Sequence, residues 1–213
     1  MTASSIPVLV AGGHTFRSVS AGEANACAVT MDNDAYCWGS GTQLGDGTTE
    51  QAPGSPSPVL VSGGHKFTSL SVGEQATCGV TTDGAAYCWG MYDNLGGGAM
   101  TTSSTPARVA AGLTLAAISV SSFHICGVTT GAAAYCWGSN GSGQLGNGTT
   151  TESLAPVLVS GALSFASISA GTFHTCGMTT DSVAYCWGSG FVGALGDGAT
   201  TDRSSPVRVS GQR

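Results

Sequence analysis

The chain has 213 residues, of which 8% are charged, against about 25% in an average globular protein. Its net charge of −6 has the wrong sign for the phosphate attraction that dominates nucleic-acid affinity, so a DNA or RNA partner is not expected. With so few charges, a disordered polyelectrolyte is not expected. No apolar run reaches the length of a membrane-spanning helix, so membrane insertion is not expected, and the first ten residues lack the basic and apolar regions of a secretory signal.

In chain order, the segment Tyr-Cys-Trp-Gly occurs four times, at 36–39, 87–90, 135–138 and 185–188, in steps of 51, 48 and 50 residues. A fixed period of that size marks a repeat architecture. Within each unit, a first strand A is predicted at 16–21, 67–72, 115–120 and 165–170, with an apolar fourth residue (Val19, Leu70, Ile118, Ile168). After a short turn, strand B carries Cys27, Cys78, Cys126 or Cys176, followed by a turn rich in Asp, Asn and Gly. Strand C is the Tyr-Cys-Trp-Gly segment, which makes B and C a hairpin. A longer loop holding Leu-Gly-Asp-Gly or a variant leads to strand D, headed by Pro58, Pro106, Pro156 or Pro206. Proline there suits an outer strand, because it cannot donate to a ladder.

Four antiparallel strands per repeat and no helical periodicity predict an all-β fold of propeller blades. The approximate blades are 11–60, 61–108, 109–158 and 159–209 in one repeat domain, preceded by an extra outer strand at 6–10. The chain thus has four A-B-C units and five D-type segments, which predicts an incomplete arc of a larger propeller of about seven blades. Either further blades or self-association would close such an arc.

The Trp-Gly strand and its loop, best preserved at 137–146 as Trp-Gly-Ser-Asn-Gly-Ser-Gly-Gln-Leu-Gly, resemble the regulator of chromosome condensation repeat family, in a disulfide-containing, secreted form of bacterial type. The loops at Gln43-Leu44-Gly45, Asn94-Leu95-Gly96 and Ala194-Leu195-Gly196 are eroded copies. The resemblance implies a propeller that binds partner proteins through loops on one face. Members include an exchange factor, a plant photoreceptor and an inhibitor of β-lactamases, so fold does not fix function. All four Trp lie in strand C, where packing between blades explains them better than a light-sensing cluster.

The eight cysteines pair by spacing: Cys27 with Cys37, Cys78 with Cys88, Cys126 with Cys136, and Cys176 with Cys186, each pair facing across the B-C hairpin. Opposed strand residues stand about 4.5 to 5.5 Å apart, within disulfide reach, so four bridges are expected. They place the chain in an oxidising compartment: extracellular, periplasmic or cell-surface. Dispersed one pair per blade, these cysteines do not suit a zinc tetrahedron even with His124 and His174 two positions upstream, and no metal or other cofactor is expected. His14 and His65 read as loop residues before strand A, and Asp46 and Asp197 as turn caps rather than calcium ligands. No nucleophile elbow, phosphate loop or paired-carboxylate signature points to an enzyme.

Because A, B, C and D alternate in direction, the A-B turns and C-D loops share one rim. These are also the segments that vary most between repeats. The partner-binding candidates there are Glu23, Asn25, Glu74, Gln75, Phe123, His124, Phe173 and His174, with Met91, Tyr92, Asp93, Phe191 and Val192 from the C-D loops. Variable loops on a rigid scaffold are the usual carriers of recognition. The sequence therefore points to a non-enzymatic protein-binding module, with a passive structural array or a carbohydrate-binding propeller as alternatives.

Overall fold

The computed structural model describes residues 5–48, 53–90 and 102–212. Four sheets of four antiparallel strands follow one another along the chain. Blade 1 holds β1 (Phe16–Ala21), β2 (Asn25–Thr30), β3 (Ala35–Gly39) and β4 (Ser55–Leu60). Blade 2 holds β5 (Phe67–Val72), β6 (Ala76–Thr81), β7 (Ala86–Gly90) and β8 (Ser103–Val109). Blade 3 comprises β9 (Leu115–Val120), β10 (His124–Thr129), β11 (Ala134–Gly138) and β12 (Ser153–Leu158). Blade 4 comprises β13 (Phe165–Ala170), β14 (His174–Thr179), β15 (Ala184–Gly188) and β16 (Arg203–Arg208). Helix among the described residues is limited to three short 3-10 turns. Residues 6–10, expected as an extra outer strand, carry no strand, and Val8 and Leu9 are exposed.

The hairpin registers place Cys27 opposite Cys37, Cys78 opposite Cys88, Cys126 opposite Cys136, and Cys176 opposite Cys186. All four bridges form, with Cα separations of 4.0 to 4.1 Å. This is slightly inside the expected span, since the bridge draws a directly opposed pair together. No cysteine is left free. The fourth bridge differs from the others in its surroundings. It lies on the outward face of blade 4, where Cys176 is only half-buried and Cys186 is buried but not sealed, while the six cysteines of blades 1 to 3 are fully buried.

Strand D differs from expectation. Its proline is the fourth residue, not the first, in all four copies. The ladder explains this. In blade 1, Cys37 faces Val59 and Gly39 faces Ser55, so residues 56–58 bulge opposite Trp38. Pro58 sits in that bulge, on the outer strand, where its missing N–H costs no ladder bond.

Each blade has two unlike faces, one carrying the disulfide and one carrying the strand C tryptophan. Between blades 1 and 2, Cys27, Val29, Cys37 and Val61 pack against Phe67, Leu70, Tyr87 and Trp89. Cys78, Val80, Cys88 and Val109 meet Leu115, Ile118, Ile125 and Trp137 in the same way. Blade 3 repeats the arrangement toward Phe165, Ile168, Tyr185 and Trp187. The three tryptophans inside these interfaces are 0% exposed. Trp38, on the outward face of blade 1, is only half-buried, because no described blade covers it.

Polar contacts fix the same interfaces. Trp89 Nε1 donates to Gln43 O and Trp187 Nε1 to Gln144 O, each at 2.9 Å. The glycine of Leu-Gly makes room for this. A Cβ on Gly146, whose φ is +69°, would lie 2.6 Å from Trp187 Nε1. Around the axis, Ser20, Ser71 and Ser119 each accept the backbone N–H of the next blade's strand A, from Val72, Val120 and Ala170, at 3.0 Å.

Candidate protein-docking rim

The A-B turns and C-D loops emerge together, and backbone bonds tie one to the other. Ser40, Ser139 and Ser189 N–H groups donate to the carbonyls of Ala24, Phe123 and Phe173 at 2.8 to 3.0 Å. The glycine of Trp-Gly permits that approach, since a Cβ on Gly138 would come within 2.6 Å of Phe123 O. Each turn is closed by its own bond as well, for example Ser121 N to His124 O and Gly171 N to His174 O. Side chains on these turns are therefore held by a rigid frame, as recognition loops require.

Blades 3 and 4 each place a phenylalanine on this frame. Phe123 and Phe173 are stacked, with centroids 5.1 Å apart and planes at 15°. They are 41% and 49% exposed. Beside them opens a cavity of about 610 Å³ lined by both rings, Ser139, Asn140, Gln144 and Glu152. The corresponding positions in blades 1 and 2 are Ala24 and Gln75, so the ring pair belongs to one sector of the rim. A second, shallower cavity of about 450 Å³ lies where all four blades converge, bordered by Glu23, Glu74, Ser122 and Thr172.

Glu23, Glu74 and Gln75 are exposed on the rim, as are Phe191 and Val192. Val192 holds a φ of +51° in the short turn Phe191–Gly193, a conformation that a β-branched residue avoids. Met91, Tyr92 and Asp93 lie outside the described residues. His174 is half-buried.

Two candidates are not surface loop residues. Asn25 and His124 are buried at the starts of β2 and β10, where their side chains point into the neighbouring blade. Asn25 Nδ2 donates to Thr77 Oγ1 at 3.4 Å, and His124 Nε2 lies 2.7 Å from Thr175 Oγ1. Thr175 in turn donates to Gln144 O. Burial, reinforced by the nearby His174, lowers the His124 pKa to about 3, so its ring is neutral near pH 7.

The remaining histidines and aspartates have structural partners. His14 packs against Tyr36 with ring centroids 4.2 Å apart, and His65 against Tyr87 at 4.0 Å, both pairs tilted. Asp46 accepts from Thr48 N–H and hydroxyl. Asp197 accepts from Ala199 N–H and from Arg203, which hold its carboxyl below the usual carboxylate range. Among the described residues no three His, Cys, Asp or Glu converge as a metal site, and no helix is long and apolar enough to cross a membrane.

Two features escaped the sequence reading. The serines that bond successive A strands recur as the fifth residue of that strand in every repeat, a signal that was available. Glu152, in the cavity beside the ring pair, has an acidic counterpart in blade 4, Asp202, likewise four residues before the strand D proline, a second signal that was available.

Comparison with known proteins agrees with this geometry. The chain matches the model of the Regulator of chromosome condensation (RCC1) repeat over residues 16–43, 67–96, 116–144 and 165–194, and again over 133–178. It is 33% identical over 100 residues to the ultraviolet-B receptor UVR8 of Arabidopsis thaliana, covering 45% of this chain and 22% of that protein. Among solved structures, human WBSCR16 superimposes with a TM-score of 0.82 at 20% identity, over 93% of this chain and 54% of that one. Yeast RCC1 (Prp20), in its complex with Kap60, gives a TM-score of 0.80 at 20% identity, over 97% and 51%. The chain thus spans about half the length of these propellers and under a quarter of the curated relative.

Proposed function

The chain belongs to the regulator of chromosome condensation repeat family, and from that premise we propose that it is a non-enzymatic module that docks a partner protein on its A-B rim. The stacked, exposed pair Phe123 and Phe173 carries this reading. Aromatic rings on a rigid frame supply large contact area at low entropic cost, which is the composition of interface centres. The yeast relative is seen bound to another protein, Kap60. The four disulfides support assembly in an oxidising compartment, extracellular, periplasmic or at the cell surface. Screening the oxidised chain against purified extracellular proteins tests the reading. Binding should be lost on Phe173→Ala or Glu74→Arg and kept on Asp181→Asn at the opposite rim. Absence of any binder, or binders indifferent to the A-B rim, would overturn it.

The two outward blade faces support a companion proposal. Further blades, from a longer chain or a second copy, continue the arc by repeating the disulfide-to-tryptophan contact. Light scattering combined with a solution-scattering shape should show an open four-blade arc or a larger assembly. A compact closed monomer would contradict it.

A further inference from the structure

Charge is divided unequally between the two rims. Strand direction places Glu23, Asp46, Glu74, Glu152, Asp197 and Asp202 on the A-B rim with Arg203, which is already paired with Asp197 at 2.8 Å. The opposite rim carries Asp32, Asp34, Asp83 and Asp181 against Arg17, Lys66, Arg108 and Arg208. Among the described residues, the excess negative charge therefore lies wholly on the rim that bears the ring pair.

The cavity beside Phe123 and Phe173 narrows the chemistry further. Its amides are largely committed. Asn140 Oδ1 accepts from Leu145 N, Asn140 Nδ2 donates to Thr149 O and Thr151 O, and Gln144 Oε1 accepts from Ser142 N. Beside the hydroxyls of Ser139, Ser142, Thr150 and Thr151, the cavity offers two exposed ring surfaces and the exposed carboxylate of Glu152, its one charged group, which has no ion-pair or hydrogen-bond partner among the described residues. Aromatic faces attract guanidinium and ammonium groups through the ring quadrupole, and a neighbouring carboxylate completes the pairing.

We propose that the Phe123–Phe173 platform and Glu152 form a docking site for a cationic peptide segment, one that lays an Arg or Lys and an adjacent apolar side chain into the cavity. This rests on the rim reading above and gives it a partner chemistry. The acidic rim draws a basic segment in from solution and repels acidic ones. Glu23 and Glu74 extend the same potential toward the axis.

The test is a selection from a random dodecapeptide library on the full oxidised chain, counter-selected on the Phe123→Ser/Phe173→Ser double variant. The enriched peptides should carry net positive charge with Arg or Lys next to an apolar residue. Measured by fluorescence anisotropy, the consensus peptide should bind about ten-fold more weakly to Phe173→Ala, as expected for an anchoring ring. Glu152→Gln should weaken it several-fold, and so should raising NaCl from about 0.05 to 0.5 M. Unchanged melting temperatures of these variants, whose side chains are exposed, separate lost binding from lost folding. Neutral or acidic consensus peptides, or binding indifferent to both rings, would overturn the proposal while leaving the rim reading to stand on its protein screen. Rim-dependent protein binders without any enriched peptide would overturn the linear-segment form. Glycan binding that Phe173→Ala abolishes would reassign the platform to sugars.

Discussion

Blade interfaces and blade ends place apolar side chains at equivalent positions with opposite results. Inside the arc, Val29, Val80 and Val128 on the disulfide faces are at most 2% exposed, whereas their counterpart in blade 4, Met178, is 41% exposed. On the tryptophan faces, Ile118 is 9% exposed and its counterpart in blade 1, Val19, is 68% exposed. Yet the blade 1 face is already arranged. Phe16 and Trp38 stand 6.1 Å apart, close to the 5.8 Å of Phe67 and Trp89 or of Phe165 and Trp187, although their planes meet at 32° where the covered pairs meet at 58° and 59°. A blade's own fold thus sets the spacing of its rings, and the neighbour goes with their burial and their steeper tilt.

The largest effect that can break this comparison is loss of an indole. Trp137→Ala should destabilise by about 3 to 5 kcal/mol, the usual cost of truncating a buried ring. Trp38→Ala, half-exposed, should cost about 1 kcal/mol or less in the same denaturant titration. Equal losses would show that the two faces are equally filled.

Next in size is the bridge inside blade 3. Replacing Cys126 and Cys136 by Ala should cost about 2.5 to 3 kcal/mol, since the hairpin loop it closes is short. Mass spectrometry of the unreduced protein should find no alkylatable thiol, at Cys176 and Cys186 on the outward face as elsewhere. Labelling of several cysteines in the native state would contradict the bridges and the oxidising compartment together.

Acid is a finer probe of the interface between blades 3 and 4. His124 has a folded pKa of about 3, below its ordinary value of 6.5, chiefly through burial and then through His174. The unfolded chain therefore takes up the proton first. The stability contributed by the neutral ring is complete above about pH 6.5 and falls by about 1.4 kcal/mol per pH unit down toward pH 3. His124→Asn, which installs the residue found at this position in blade 1, should flatten that slope in thermal melts between pH 7.5 and 4.5. An unchanged slope would place the titrating group elsewhere.

Much of the fold was legible because it is written four times. Tyr-Cys-Trp-Gly fixed the period, alternation fixed all four A strands to the residue, and the nine intervening residues between paired cysteines fixed the hairpin register. The start of strand D was not legible, because proline advertises an outer strand equally well at its head or in a bulge. Asn25 and His124 read as turn residues, because polarity near a turn gives no hint that a threonine on the next blade accepts them. The ring pair was visible as Phe123 and Phe173, but their stacking was not. It depends on how adjacent blades are rotated, which one strand's pattern does not encode.

The most direct test of the two-faced blade is hydrogen exchange of the four indole N–H groups by NMR, at concentrations of about 10 µM, low enough to limit association. Trp89 and Trp187, bonded to Gln43 and Gln144, should exchange slowly, together with the buried Trp137, while Trp38 exchanges fast. Four equally slow indoles would mean that the outward face is covered and the ring closed, and fast exchange at Trp89 or Trp187 would mean that the blade interfaces are not packed in this way.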